Sequence, residues 1–457
     1  MEQKNRAVNA LECVIVRNGL SLKFRGKDFR LIYPAGIWER YPQQAKEILR
    51  DNLAHLLTVS MPLVSGVSVL RYNTSFPLFA PVFREVVTKN IPGAVEDYPQ
   101  STGETIERFL RTRYVFNDGV VEFPVRTFSP DKNSILVSFT CGKDSLLTVA
   151  MVREMGLKPT GLYINDTVSP AENRLKIKHM GQISRKFGIP VFVARNEAEK
   201  LNDFEYWDTI ETCVGYCHML AGFCFMAIPV CNYTNSGWIL LGNERNMDYS
   251  FKNKDGYVTH PAFGQTSEGT RLLDGAVRLM TGGSVGVGSL IKPLHNLAII
   301  KILHMRYPQF AKFEISCDCL DAFLRASRWC CSCSKCARLS LFMRAVGADP
   351  RSVGIKDGLL DKKSERFYVL FGGREVDFYE KNKESRDEQL LAFYLAYKNG
   401  TKGYLIEKFR KEYLGEARRR EKALRKKLFG IYVSDVVPPS MRSAVYKIYR
   451  QELKDLV

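Results

Sequence analysis

Ser134-Ile-Leu-Val-Ser-Phe-Thr-Cys-Gly-Lys-Asp-Ser-Leu-Leu-Thr148 is an apolar run that breaks at Thr140-Cys141-Gly142-Lys143-Asp144-Ser145 and resumes as an amphipathic segment. The pattern predicts a strand, a tight loop and the first turn of a helix. Backbone N–H groups and the positive end of the helix dipole converge at such a loop and favour an anion, above all a phosphate. Lys143 adds a positive charge, and Thr140 and Ser145 add hydroxyl donors. The Walker spacing Gly-x4-Gly-Lys-[Ser/Thr] is absent. Taken alone, the hexapeptide also fits an ordinary strand-to-helix turn of an α/β protein.

The surroundings favour the phosphate-binding loop. Short apolar segments at Ile135–Phe139, Thr160–Asn165, Ile189–Ala194 and Trp238–Leu241 predict strands. Between them, Leu146–Met155, Ala171–Phe187 and Thr212–Ile228 predict helices. This alternation argues for a parallel sheet with right-handed crossovers. Ligands of such sheets sit beyond the carboxyl ends of the strands. Thr140–Ser145 falls at one such end, Asn165 and Asp166 at a second, and Gly242-Asn-Glu-Arg-Asn-Met-Asp248 at a third. Before this unit, Cys13–Phe24 reads as a hairpin turning at Asn18-Gly19, followed by a helix from Pro42 to Leu57.

The chain has 457 residues, 45% of them hydrophobic and 25% charged, which describes a globular protein of several domains. Met1 to Ala10 is polar and no apolar leader follows, so no signal peptide is read and a cytoplasmic location is expected. Val214–Val230 is the longest apolar stretch. It holds His218 and Pro229 and is expected to be a buried helix rather than a membrane span. The net charge is +18. Thr401 to Val457 carries 15 Lys/Arg against 7 Asp/Glu, densest at Arg418–Lys427. Such a run can bind nucleic acid. Ile406, Phe409, Tyr413, Ala417, Leu424 and Leu428 recur at helical spacing behind it, so a solvated helix face is favoured over a nucleic-acid site. A basic field also suits a polyanionic small substrate.

Of the 12 cysteines, Cys213, Cys217, Cys224 and Cys231 lie in or near the apolar helix, where cysteine acts as a small hydrophobe. A second group differs. Cys330, Cys333 and Cys336 form Cys-x2-Cys-x2-Cys, and Cys317 precedes them. Four thiolates with such loops suit a closed tetrahedral zinc site of structural role. An iron–sulfur cluster is the alternative. Cys319 and Cys331 are spare thiols able to exchange into the set.

The Thr140–Ser145 loop resembles the Ser-Gly-Gly-x-Asp-Ser signature of the PP-loop ATP pyrophosphatases, which split ATP into AMP and pyrophosphate. Thr140 stands for the family's first Ser and Cys141 for its first Gly. A Cβ at position 141 is expected to require negative φ or a slightly opened loop. With the cysteines, the loop resembles the QueC-like branch, which includes 7-cyano-7-deazaguanine synthases. More of the chain resembles the ATP-dependent glutamate epimerases of peptidoglycan synthesis, the MurL family. Asn243-Glu244-Arg245, Gln265-Thr266-Ser267 and Trp329-Cys330-Cys-Ser-Cys333-Ser-Lys335-Cys336-Ala-Arg338 carry that likeness. The family's Ser-Lys-Ser after its Gln is replaced here by Ser267-Glu268-Gly269.

These resemblances imply an α/β fold, with a Rossmann-like (HUP-type) parallel sheet in the PP-loop domain. Four parts are expected: an N-terminal α+β domain (1–130), the ATP-binding domain (131–294), a four-cysteine zinc subdomain (295–355) and a basic, α-rich C-terminal domain (356–457). The implied cofactors are ATP, Mg²⁺ and structural Zn²⁺. Thr140, Cys141, Gly142, Lys143, Asp144, Ser145, Asn165, Asp166, Asn243, Asp248 and Gln265 would bind ATP, and Cys317, Cys330, Cys333 and Cys336 the metal. Lys143, Asp144, Glu244, Arg245 and His260 are the candidate catalytic residues, His260 because imidazole works both ways near neutral pH. The implied reaction adenylates a substrate carboxylate, free or nucleotide-linked, and then epimerises the terminal glutamate of a UDP-muramoyl dipeptide or a related acyl group. The alternatives are a QueC-like ligase joining a carboxylate to ammonia and a tRNA-modifying PP-loop enzyme.

Overall fold

The computed structural model describes residues 9–119, 123–317, 328–376 and 380–456. Most of the Met1–Ala10 segment and all of Cys319 lie outside them. Among the described residues twelve strands form in chain order: β1 Ala10–Val16, β2 Gly19–Phe24, β3 Lys27–Ile32, β4 Val69–Tyr72, β5 Arg113–Val115, β6 Asp131–Ser138, β7 Lys158–Asn165, β8 Val191–Asn196, β9 Ser236–Leu240, β10 Phe251–Lys252, β11 Val258–Thr259 and β12 Gly286–Gly288. Ten of them make one sheet in the order β12-β9-β6-β7-β8-β3-β2-β1-β4-β5. β12, β9, β6, β7 and β8 run parallel, as the alternation of strand and helix requires.

The sheet does not stop at residue 130. β3 adds antiparallel to β8, pairing Leu31 with Asn196 and Ile32 with Arg195, so the N-terminal unit extends the same sheet. The hairpin turning at Asn18-Gly19 forms as expected, with Val16 opposite Gly19.

The parallel strands are covered on both faces, which is why they read as continuous apolar runs. Alternate residues of β6 enter different cores: Ile135 and Val137 one, Leu136 the other. The helices that matter for the site are α1 Gln43–Leu56, α2 Lys143–Glu154, α3 Pro170–Phe187, α4 Met219–Thr234, α5 Ser267–Met280, α6 Asn296–Arg306, α7 Ser334–Ala345, α8 Lys383–Lys398, α9 Leu414–Leu428 and α10 Pro439–Leu453. α2, α6 and α7 share the first core with α8, α9 and α10. α1, α4 and α5 fill the second.

Strand ends shift by up to four residues from the sequence expectation, and two helix boundaries differ as well. α2 begins at Lys143 rather than Leu146, because Gly142 takes the extended cap position immediately after the loop. The apolar helix expected from Thr212 instead opens with a short 3-10 turn at Val214–Tyr216 and runs on to Thr234, past Pro229. By length and composition Val214–Thr234 is apolar enough to span a membrane, but 83% of its apolar window is buried inside the protein. The basic α9 turns Ala417, Leu424 and Leu428 inward. Arg420, Arg425 and Lys427 on its other side are held by Asp387, Glu421 and Glu384.

Candidate functional site

The order β8-β7-β6-β9-β12 reverses direction at β6. A crevice therefore opens between the carboxyl ends of β6 and β9, the place where open α/β sheets bind ligands. The loop after β6 and the segment after β9 meet there. Lys143 Nζ donates to both Asp144 carboxylate oxygens, at 2.7 and 2.8 Å, and to Glu244 Oε2 at 2.9 Å. Burial alone would lower the Lys143 pKa, yet Asp144 and Glu244 hold it above the usual value. Burial raises Asp144 to about 6 against the pull of Lys143, helped by the carboxylates of Glu244 and Glu314. The cluster is thus one largely buried cation facing more than one carboxyl where the strand order reverses.

The loop itself is tightly built. Ser145 Oγ accepts the Thr140 N–H at 3.3 Å and donates to the Gly142 carbonyl at 3.1 Å. Cys141 has φ +60°, so of the two alternatives expected for a side chain there, negative φ is not the one adopted. A small residue can enter the left-handed region at modest cost. The Cys141 side chain is fully buried in the core beneath the loop, which offsets that cost. Its carbonyl accepts the Ile315 N–H at 2.8 Å. Gly242, at the end of β9, faces the loop so closely that a Cβ there would lie 2.8 Å from Asp144 Cβ.

A second lysine organises the β9 side. Lys292 is 1% exposed. It donates to the Glu244 and Gln265 carbonyls at 3.0 and 2.9 Å and pairs with Asp248 at 2.9 Å. Burial lowers its pKa, against the pull of Asp248. Asp248 also caps the start of α5, accepting from the Ser267 N–H and hydroxyl at 2.6 and 2.9 Å. Asn243 donates to Thr270 Oγ1 at 2.9 Å. Gln265, Asp248, Asn243 and Glu244 are therefore brought together. Arg245 lies on the same turn, but its guanidinium stacks 3.6 Å from the Tyr432 ring centroid. His260 is bonded elsewhere, with Nδ1 3.1 Å from the Tyr249 carbonyl and no bond to Lys143 or its carboxylates. After β7, Asn165 Oδ1 accepts the Thr167 N–H at 3.2 Å. Asp166 Oδ1 accepts the Val168 N–H at 3.2 Å and Asn173 Nδ2 at 3.1 Å, and burial raises its pKa.

Compared with models of known protein families the chain matches none, and no curated protein matches it. Function is therefore read from the geometry.

The cysteine cluster lies beside the loop. The Sγ atoms of Cys317, Cys330, Cys333 and Cys336 all fall within 4.8 Å of one another, and this set can hold a metal ion such as zinc. Cys331 stands apart: its thiol accepts the Lys356 N–H at 3.4 Å. The segment entering the cluster braces the Thr140–Ser145 loop. Ser316 Oγ accepts the Lys143 N–H at 3.4 Å and donates to Glu314 Oε1 at 2.9 Å. His304 Nε2 lies 2.9 Å from Glu314 Oε2.

Lys292, Glu314 and Glu388 escaped the sequence reading. Lys292 had a signal, being the one charge within the apolar run Val285–Leu294. Glu388 had none. It lies on α8, far along the chain, and is 1% exposed with Oε1 unpartnered. Burial and the Glu244 carboxylate push its carboxyl up to about 8, against Arg338 and a hydrogen bond with Asn246. The C-terminal helices thus close one wall of the crevice.

Proposed function

We propose that this protein is a Rossmann-like PP-loop enzyme that splits ATP into AMP and pyrophosphate to activate a substrate carboxylate. One observation carries the proposal: Lys143, at the amino terminus of α2, meets Glu244 at 2.9 Å across the point where the strand order reverses. A helix amino terminus, a lysine and a hydroxyl at that crevice form a receptor for the leaving phosphates of a nucleotide.

A carboxylate oxygen of the substrate attacks the α-phosphorus. The bond to the β-phosphate bridging oxygen breaks, and pyrophosphate departs into the loop. Lys143, Ser145 and the loop N–H groups receive its charge. Lys143 must release at least one of its carboxylates to do so, which couples phosphate arrival to rearrangement of Asp144 and Glu244. Those two carboxylates supply hard oxygen donors and fit Mg²⁺, which would neutralise the triphosphate. Four thiolates leave no open position, so zinc at Cys317, Cys330, Cys333 and Cys336 would brace the Ile315–Ser316 segment against the loop. For the fate of the acyl-adenylate, the likeness to the glutamate epimerases supports removal and return of the proton α to the activated carbonyl. Glu244, paired with Lys143 at the end of β9, is the candidate for that role. Amide formation with ammonia is the second outcome.

The test is release of AMP and pyrophosphate with UDP-muramoyl-L-alanyl-L-glutamate, or with 7-carboxy-7-deazaguanine plus ammonia. Lys143→Ala should lower the rate by about 100-fold or more. Chiral analysis of the glutamate separates epimerisation from ligation. A wild-type protein that forms no AMP with any carboxylate in such a panel overturns the proposal.

A further inference from the structure

A cavity of about 590 Å³ opens beside the phosphate loop, beyond the carboxyl ends of β6, β7 and β8. Ser138 and Thr140 line it at the loop end, and Leu162, Phe223 and Met226 give it apolar walls. Glu199 and His218 stand on its lining, 4% and 1% exposed. None of the roles assigned above uses them.

Their hydrogen bonding is incomplete in a directional way. His218 Nδ1 lies 3.1 Å from the Gly215 carbonyl. A carbonyl only accepts, so Nδ1 carries the hydrogen, and in the neutral ring Nε2 is left as an acceptor. Nε2 has no hydrogen-bond partner. Glu199 Oε2 accepts Asn196 Nδ2 at 3.3 Å, while Glu199 Oε1 has no partner. The two side chains do not satisfy each other: Nε2 and Oε2 are 3.7 Å apart, beyond hydrogen-bond distance. Among the described residues, two buried acceptors on the cavity lining thus have no donor bonded to them, an arrangement costly unless something supplies one.

Four of the donors on the lining are committed. Lys176 is paired with Glu172. Asn173 Nδ2 serves Asp166. Asn90 Nδ2 serves the Val86 and Cys217 carbonyls. The Tyr216 hydroxyl is bonded to Asp203. With Lys176 neutralised by Glu172, Asp166 and Glu199 leave the lining acidic in a protein whose net charge is +18.

We infer that Glu199 and His218 form a binding site for a primary amino group of the ligand, a nitrogen bearing at least two hydrogens that donates to Glu199 Oε1 and His218 Nε2 together. Two sources share this chemistry. One is the amino group of the adenine ring of ATP. The other is an ammonium-bearing cosubstrate, which would deliver the amine to the activated carboxylate: the ammonium gives one proton to His218, the freed nitrogen lone pair bonds to the acyl carbon, the bond from that carbon to the AMP oxygen breaks, and the second proton leaves on the AMP phosphate. The first source rests on the ATP-splitting reading, whereas binding of an ammonium group stands without it.

The chain has six histidines, which makes carbon-13 labelling of the imidazoles practical. The His218 resonances, assigned by loss in His218→Gln, are followed in the full-length protein during titration. ATP is compared with inosine triphosphate, which carries an oxygen in place of the amino group. Ammonium is compared with tetramethylammonium, which has no N–H, each up to ordinary salt-buffer concentrations. A shift with ATP and not with inosine triphosphate places the adenine amino group at the pair. A shift with ammonium and not with tetramethylammonium assigns an amine cosubstrate. In either case Glu199→Gln, which keeps the shape and removes the charge, should weaken binding about tenfold or more, equivalent to about 1.4 kcal/mol. Silence of His218 in both comparisons overturns the inference, as does a response unchanged in Glu199→Gln. AMP formation with His218 silent removes the amino-group site alone, and a responsive His218 without AMP formation removes the ATP-splitting reading alone.

Discussion

Glu388 offers a quantitative test of how the C-terminal helices close the crevice. Its carboxyl has an ordinary value of 4.5 and is pushed up to about 8, first by burial and then by the Glu244 carboxylate. Between those two pH values the unfolded chain has lost this proton and the folded chain keeps it. The unfolded state binds fewer protons, so stability falls as pH rises through the window, by up to about 1.4 kcal/mol per pH unit. From pH 5 to 8 the ceiling is about 4 kcal/mol. With an unfolding entropy of about 2.1 cal/mol/K per residue over 457 residues, roughly 1 kcal/mol corresponds to 1 °C. Glu388→Gln preserves the shape and removes the titration. The variant should match wild type near pH 5 and melt about 2–4 °C above it at pH 8. Melting both proteins by calorimetry in parallel, without nucleotide or divalent cation, cancels every other titration. A difference in melting temperature that stays flat from pH 5 to 8 would refute burial of Glu388 against Glu244.

Three further outcomes are expected. Gly242→Ala would place a Cβ 2.8 Å from Asp144 Cβ; it should cost about 1–3 kcal/mol and depress AMP formation, and unchanged melting with unchanged rate would sink the close-approach argument. Lys292→Met removes the ion pair of Asp248 and the donor of two carbonyls, so denaturant unfolding should register a loss of about 1–3 kcal/mol, and no measurable loss would count against its organising role. The purified protein should contain one zinc per chain and be colourless. Its removal by chelation, or Cys333→Ser, should weaken nucleotide binding as well as stability, because Ile315 and Ser316 hold the loop backbone. Nucleotide affinity indifferent to the metal would separate the two sites.

Sequence is most legible where chemistry is local. The strand from Ile135, the loop and the helix after it follow from apolar periodicity and turn residues that are close neighbours in the chain. The cysteines are readable because their spacing is itself the signal, and Cys317, Cys330, Cys333 and Cys336 do assemble. Long-range pairing is not readable. Nothing in Leu31 or Asn196 announces that β3 will join β8, because strand partners are selected by the packing of whole faces. Cys141 shows a conformation that local sequence leaves open: its left-handed φ is offset by burial that only the folded core supplies. His260 stands out by residue type, yet the fold spends its ring on a carbonyl. His218 reads in the sequence only as a polar residue interrupting an apolar stretch, and that interruption faces a cavity.

The junction of β3 with β8 also sets a schedule for synthesis. The ribosome delivers Leu31 early, but its partner Asn196 emerges only after the intervening chain has been made. At usual elongation speeds that interval is roughly 10–30 s. Throughout it β3 is an unpaired edge, open to the same strand on a neighbouring nascent chain. The start of the chain thus waits for its partner well past the time the Thr140–Ser145 loop is made, and slowing translation between β3 and β8 should raise the aggregation of nascent chains.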